Sequence, residues 1–174
     1  MDLTNVIVPK TSIGGITIGE NVSQVQARLS SRYKIHSAHN SLTINDGFIT
    51  AYHGVDGIIS AISCNAAFKG NYENKLWPGM TVADVLTLSK TQMAWSGFVQ
   101  IDQISGIGLS LPEEYDDFDS LTDNFDLDFI FTAAAKTECN TSPSGKVPPC
   151  PIQNSASKNA PRSRSGNIKV LVSA

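Results

Sequence analysis

Two segments sixty positions apart share one pattern, and this repeat constrains the fold more than any other feature of the chain. Each segment has a turn glycine, then a helix-capping residue, Asn21 or Thr81, and then apolar residues at helical spacing. The pattern predicts two short amphipathic helices in a tandem repeat. The matching positions are Gly19 and Gly79, Val22 and Val82, and Val25 and Val85.

Strand-like runs separated by turn signals follow each predicted helix. Asp46-Gly47 and Asp56-Gly57 are typical of tight turns, because glycine adopts positive φ without penalty. The order predicts an α+β fold of two layers: a mostly antiparallel sheet with both short helices on one face and the other face open. The predicted strands are residues 41–44, 48–53 and 57–65 in the first unit, and 97–103, 106–112 and 127–131 in the second.

The glycine, cap and Val-x-x-Val pattern, followed by a meander and then repeated, resembles a known architecture. The stretch "PGMTVADVL" at 78–86 carries the likeness best. The chain resembles the tandem helix-plus-β-meander proteins of the β-lactamase-inhibitor-protein type and the small outer-membrane lipoproteins that share their architecture. The resemblance implies a binding scaffold rather than an enzyme.

The formal charge of −3 is divided unevenly along the chain. Residues 1–132 carry 7 Lys and Arg against 15 Asp and Glu, a net of −8, whereas residues 133–174 carry 6 against 1, a net of +5. We predict one domain, 1–132, of two repeats (about 13–66 and 76–132), followed by a basic tail rich in Ser, Pro and Asn with a final strand over 168–172. The tail is either a linker or read-through extension, or a segment that folds back on the acidic body or reaches a neighbouring subunit.

An acidic stretch is the main candidate for function. Between Glu113 and Asp128 eight of sixteen residues are carboxylates and none is basic, with aromatic rings set between them. Two main interpretations stay open: an interface for a basic protein, or a solvated face whose rings Tyr115, Phe118 and Phe125 pack in the core. A third alternative is a loose site of oxygen ligands for a metal, built from Asp116, Asp117 and Asp119. The predicted partner-binding residues are Glu113, Glu114, Tyr115, Asp116, Asp117, Asp119 and Trp95.

The sequence contains no local catalytic or cofactor signature, and we expect neither a metal nor a cofactor. An EF-hand starting at Asn124 would need glycine and glutamate where Phe129 and Ala135 stand. The pair His36 and His39 lacks a third ligand at a recognisable spacing. The alternative function is a small-molecule binder or enzyme with a pocket between helices and sheet, using Tyr52, His53 and Asp102.

The expected function is therefore protein binding, for example as an inhibitor or immunity factor of a basic protein, together with self-association into a homo-oligomer. Nucleic acid is disfavoured as a partner because phosphates would repel a body of net charge −8. No apolar run approaches the ~20 residues that span a bilayer. The first ten residues lack the basic and apolar segments of a secretion signal, so we expect a cytoplasmic protein.

Overall fold

The computed structural model describes residues 2–95, 97–111, 120–134 and 170–173, and for Trp95, 132–134 and 170–173 it describes the backbone alone. Within these residues the fold is α+β and mostly antiparallel sheet, as predicted. The two described helices are α1, Val22–Leu29, and α2, Val82–Leu88.

The strands form a small N-terminal sheet and a large sheet. The small sheet contains β1 (Ile7–Val8), β2 (Ser12–Ile13) and β3 (Ile16–Thr17). The strands of the large sheet are β4 (Ile35–Ala38), β5 (Ser41–Ile44), β6 (Ile49–His53), β7 (Ile59–Cys64), β8 (Gln92–Trp95), β9 (Phe98–Ile101), β10 (Gly108–Ser110), β11 (Thr132–Ala134) and β12 (Val170–Ser173). Their order in the sheet is β4-β5-β6-β7-β11-β10-β9-β8, and β12 also pairs with β7.

Both helices begin where the capping residues predict. The Asn21 side chain accepts a hydrogen bond from the Ser23 N–H at 2.9 Å. Thr81 accepts one from the Asp84 N–H at 3.1 Å, and the Asp84 carboxylate accepts one in return from the Thr81 N–H at 2.9 Å. These bonds satisfy N–H groups that the first turn of a helix leaves without intrahelical partners.

One hydrophobic core joins the helices to the large sheet. Two rows of paired strand residues, Ile44–Ile49–Cys64 and Leu42–Ala51–Ile62, have no exposed surface. Val25 of α1 and Val85 of α2 belong to the same core and are also fully buried. Since side chains alternate along a strand, these rows define the face of the sheet that both helices cover.

The opposite face is exposed at its margins but not at its centre, which corrects the expectation of an open face. The row Thr43–Thr50–Ser63 crosses this face, and Thr50 and Ser63 are only 7% and 1% exposed. The Tyr52 hydroxyl lies 3.5 Å from the Ser63 Oγ, so a neighbouring ring lies beside this row. A partner therefore has less open sheet to bind than the sequence predicts.

The same backbone hydrogen bonds join the start of α1 to residues at and just before the start of β7, and the start of α2 to residues just before β11. Gly19 donates to Ile59, and Gly79 donates to Phe131, at 2.8 and 3.1 Å. Ile59 and Phe131 donate back to Glu20 and Met80, and Val22 and Val82 donate to Gly57 and Phe129. Gly19 and Gly79 have φ of 85° and 86°, a region that glycine adopts without strain. The segments match in local geometry, while the duplication itself stays a prediction.

Several strand positions differ from the prediction. β4 and β8 were not predicted, because runs such as "IHSA" have no clear alternation, and both form by pairing with β5 and β9. Residues 127–131 do not form a strand beyond one isolated bridge, Thr81 to Ile130, and the strand begins at Thr132. The final strand is at Val170–Ser173, against the expected 168–172.

Candidate protein-binding surface

A long connection separates β10 from β11, where the first unit has a tight turn. In the first unit, residues 54–58 join β6 to β7, and Asp56 accepts a hydrogen bond from the Ile58 N–H at 3.0 Å. Residues 111–131 take the equivalent place in the second unit. We call this segment the acidic connection, because it contains the acidic stretch.

Apolar side chains attach the described part of the acidic connection to the core. Leu121, Phe125 and Phe131 are 4%, 7% and 0% exposed. The half-buried Phe129 ring lies 4.4 Å from that of Phe125 and 5.3 Å from that of Phe131. For Phe125, the interpretation in which the rings face the core is therefore correct.

The same segment exposes both charge and apolar surface. Asp123, Asp126 and Asp128 are exposed, while Leu127 and Ile130 are 57% and 51% exposed. A partner that buried these apolar side chains would gain binding energy, and the carboxylates beside them attract a basic surface.

An open groove of about 800 Å³ adjoins the acidic connection. Gly79 donates a hydrogen bond to the Phe131 carbonyl, which places the loop before α2 beside the end of the connection. The loop before α2 and the end of the acidic connection both line the groove, so the wall of the groove combines residues far apart in sequence. Its lining includes Phe68, Lys69, Trp77, Pro78, Leu88 and Ile130.

Leu86 and Leu88 of α2 lie outside the core, although their spacing predicts packing against it. They are 36% and 39% exposed, because Val82 and Val85 fill the side of the helix that faces the sheet. The helix ends at Leu88, since Ser89 has the extended backbone of φ −127° and ψ 152°. The exposed Leu88 then forms part of the groove.

Six of the seven predicted binding residues lie in a part of the chain that the structure does not describe. Glu113, Glu114, Tyr115, Asp116, Asp117 and Asp119 lie outside the described residues, as does Phe118. The backbone of Trp95 is described, and it pairs with Phe98 between β8 and β9. The groove residues Ile130 and Leu88 were not predicted as binding residues. The sequence contains no signal for either residue, because helical spacing predicts Leu88 in the core and residues 127–131 were predicted as a strand.

The alternative function, a small-molecule binder or enzyme, was predicted to use Tyr52, His53 and Asp102. None of these three residues lines the groove. His53 Nδ1 lies 2.9 Å from its neighbour's carbonyl at Gly54, and the Tyr52 hydroxyl lies beside Ser63. Burial raises the pKa of the Cys64 thiol well above its ordinary value, so this thiol stays protonated and is a poor nucleophile.

Asp102 has a structural role. Its carboxylate accepts hydrogen bonds from the backbone N–H groups of Lys90 and Thr91 at 2.7 and 3.0 Å. The bonds from Thr91 and then Lys90 lower the pKa of this carboxyl below its ordinary value, because they favour the ionised form. The carboxylate thereby joins the end of β9 to the chain that leaves α2.

We expect Asp102→Ala to lower the urea midpoint of unfolding at pH 7. A lowered folded-state pKa stabilises the protein above the unfolded-state pKa, about 3.9, and this contribution is lost as the pH falls through the folded-state value. The difference in urea midpoint between Asp102→Ala and wild type should shrink below pH 4. Asp102→Asn is the control, since its amide oxygen still accepts both bonds. A difference that stays constant from pH 7 to pH 3 would contradict this role.

Within the described part of the chain there is neither a cluster of metal ligands nor a helix that could span a membrane. His36 lies on β4 and His39 in the following turn, not on a helix, and both are exposed. No cluster of three or more His, Cys, Asp or Glu side chains suited to a metal ion occurs among the described residues. Neither described helix has the length and apolar character needed to cross a membrane.

Comparison of the chain with protein-family models, with curated proteins and with solved structures finds no match.

Proposed function

We propose that this chain is a non-enzymatic protein-binding module that recognises a basic partner through the acidic connection and the adjoining groove. The observation that carries the proposal is the position of Ile130. This half-exposed apolar side chain lines the groove together with Leu88, and the exposed carboxylates of Asp126 and Asp128 precede it in the same segment.

The two kinds of surface have separate effects on binding. Apolar anchors such as Ile130 and Leu88 supply affinity when a partner buries them, because interface energy is concentrated in a few side chains. Carboxylates accelerate the approach of a basic partner and lose this effect as salt screens them. The matching partner surface is an apolar side chain flanked by Lys or Arg.

The predicted residues Glu113, Glu114, Tyr115, Asp116, Asp117 and Asp119 belong to the same acidic connection in sequence and are included in the proposal. An inhibitor or immunity role would follow if the basic partner were a toxin or an enzyme. Self-association and a cytoplasmic location remain expectations that depend on the sequence argument alone.

The test compares proteins captured from a cell lysate at low salt by immobilised wild type and by charge-reversal variants. Asp126→Lys with Asp128→Lys should weaken capture of the partner about tenfold or more, since like charges placed against each other across an interface cost several kcal/mol. A second bait reverses the charges of Asp116, Asp117 and Asp119.

The control is Asp2→Lys with Asp46→Lys, which changes the net charge by the same amount elsewhere. These two carboxylates form exposed ion pairs with Arg32 and Lys34, and exposed pairs contribute only about 0–1 kcal/mol to stability. Equal capture by the Asp126/Asp128 variant and by this control would reject the acidic connection as the binding surface.

A further inference from the structure

The polar side chains at the groove are mainly hydrogen-bond donors. Among the described residues that line it, the polar ones are Lys69, Asn71, Asn74 and Trp77, with no carboxylate or hydroxyl. The Asn71 carbonyl oxygen accepts the Asn74 N–H at 2.9 Å, which leaves the Asn71 NH₂ group to donate. The half-buried Trp77 has an indole N–H, which finds no hydrogen-bond acceptor within the described part of the chain. The groove therefore suits a ligand that is rich in acceptors.

Apolar side chains supply the rest of the groove surface. Phe68 and Pro78 are buried, while Leu88 and Ile130 are 39% and 51% exposed. The ring of Trp77 adds apolar area beside its polar N–H. A ligand that matches this surface therefore needs apolar groups to pack on it as well as acceptors for its donors.

Charge and hydrogen bonding together limit the class of ligand. An anion would accept from the same donors, but the exposed carboxylates of Asp126 and Asp128, which precede Ile130 in the chain, repel it. A peptide in β conformation carries an N–H at nearly every residue, and each buried N–H needs an acceptor.

A proline-rich segment meets both requirements. It presents apolar rings and carbonyl oxygens but few N–H groups, because proline has none. Its polyproline II helix forms no internal hydrogen bonds, so the carbonyls are available to the donors of the groove. Basic residues beside the prolines would be attracted by Asp126 and Asp128.

We propose that the groove binds a proline-rich segment of the basic partner in the polyproline II conformation. This inference rests on the proposed function, because it names the partner's chemistry at the same surface. Trp77 and Asn71 donate hydrogen bonds to carbonyl oxygens of the segment, and its proline rings pack on Trp77 and Ile130. The segment is already extended before it binds, so it loses little conformational entropy in an open groove.

The test measures the binding of fluorescein-labelled peptides to the full-length chain by anisotropy at low salt. The lysine-proline peptide KKPPPPPPPP should bind about tenfold or more tightly than the glycine-serine peptide KKGSGSGSGS, which has the same charge but behaves as a flexible coil. Equal affinities for these two peptides overturn the proposal, and so does the absence of binding by both.

Two variants test whether the lysine-proline peptide lies in the groove. Trp77→Phe keeps a ring but removes the N–H, and it should weaken binding about fivefold, the net effect of one hydrogen bond. Ile130→Ala should weaken binding by about the same factor, because it removes apolar contacts with the proline rings. Val55→Ala is the matched control, since Val55 is 99% exposed and does not line the groove. Its affinity should equal that of wild type.

Circular dichroism establishes that each variant is folded, and Ile130→Ala decides the test if Trp77→Phe does not fold. Affinities of the groove variants equal to that of Val55→Ala overturn the proposal.

A glutamate-proline peptide, EEPPPPPPPP, separates this inference from the proposed function. It should bind about tenfold or more weakly than the lysine-proline peptide, because the carboxylates of the acidic connection repel it. If both proline peptides bind equally and both respond to Trp77→Phe, the proline-binding groove is supported and the charge attraction in the proposed function fails. If the Asp126/Asp128 reversal weakens capture from the lysate while the two lysine peptides bind equally, the proposed function stands and this inference fails.

Discussion

Phe131→Ala should be among the most destabilising substitutions in the chain, with a loss of about 3–5 kcal/mol in the free energy of unfolding. The ring is fully buried and lies 5.7 Å from the ring of Phe125 and 5.3 Å from that of Phe129. Its removal leaves a cavity and loosens both rings that attach the acidic connection to the core. For a chain of this length, the melting temperature should fall by roughly 6 to 20 °C.

Ile130→Ala is the matched control, since it removes an apolar side chain one position away that is half exposed. This variant should lose about 1 kcal/mol or less, as exposed positions generally do. It should instead weaken capture of the basic partner, because Ile130 lines the groove. Urea unfolding of both variants separates the two roles, and similar losses of stability would contradict the assignment of Phe131 to the core and Ile130 to the surface.

Gly106→Ala should cost about 2–5 kcal/mol for two separate reasons. Gly106 has a φ of 80°, where a residue with Cβ pays roughly 1–2 kcal/mol. A Cβ there would also lie 2.2 Å from Lys10 Cγ and 3.0 Å from the Lys10 backbone nitrogen. Overpacking of this kind adds about 1–3 kcal/mol.

Gly97→Ala measures the backbone cost alone, the cost of placing a residue with Cβ at positive φ. Its φ is 79°, nearly that of Gly106, but a Cβ at this position would meet no heavy atom of the described residues within 4 Å. We expect about 1–2 kcal/mol for this variant. The difference between the two free energies of unfolding measures the contact with Lys10. Equal losses would show that the N-terminal segment does not pack against Gly106 in solution.

Local chemistry explains which elements the sequence could predict. Asn21 and Thr81 determine where both helices begin, because a cap depends on side chains within three residues of itself. The strands β5 and β6 were also predictable, since alternation places Leu42, Ile44, Ile49 and Ala51 on one face. β4 was not, because its residues are mostly exposed and it forms by pairing with β5.

The candidate site depends on contacts between distant parts of the chain. The groove forms where the loop at Trp77, the end of α2 at Leu88 and Ile130 meet, and no local pattern encodes that meeting. The acidic stretch was visible in the sequence as a charge run. Its division into buried Phe125 and exposed Asp126 and Asp128 required the fold, since both interpretations of the stretch are compatible with the sequence.

The most direct test of the central claim is a hydrogen-exchange footprint of the chain with and without the basic partner that it captures. Partner binding should slow amide exchange in residues 120–131 and in the groove segment 68–79. Exchange in β4 and β5, on the far edge of the sheet, should not change. Protection confined to β4 and β5, with unchanged exchange in 120–131, would contradict the claim that the acidic connection and groove form the binding surface.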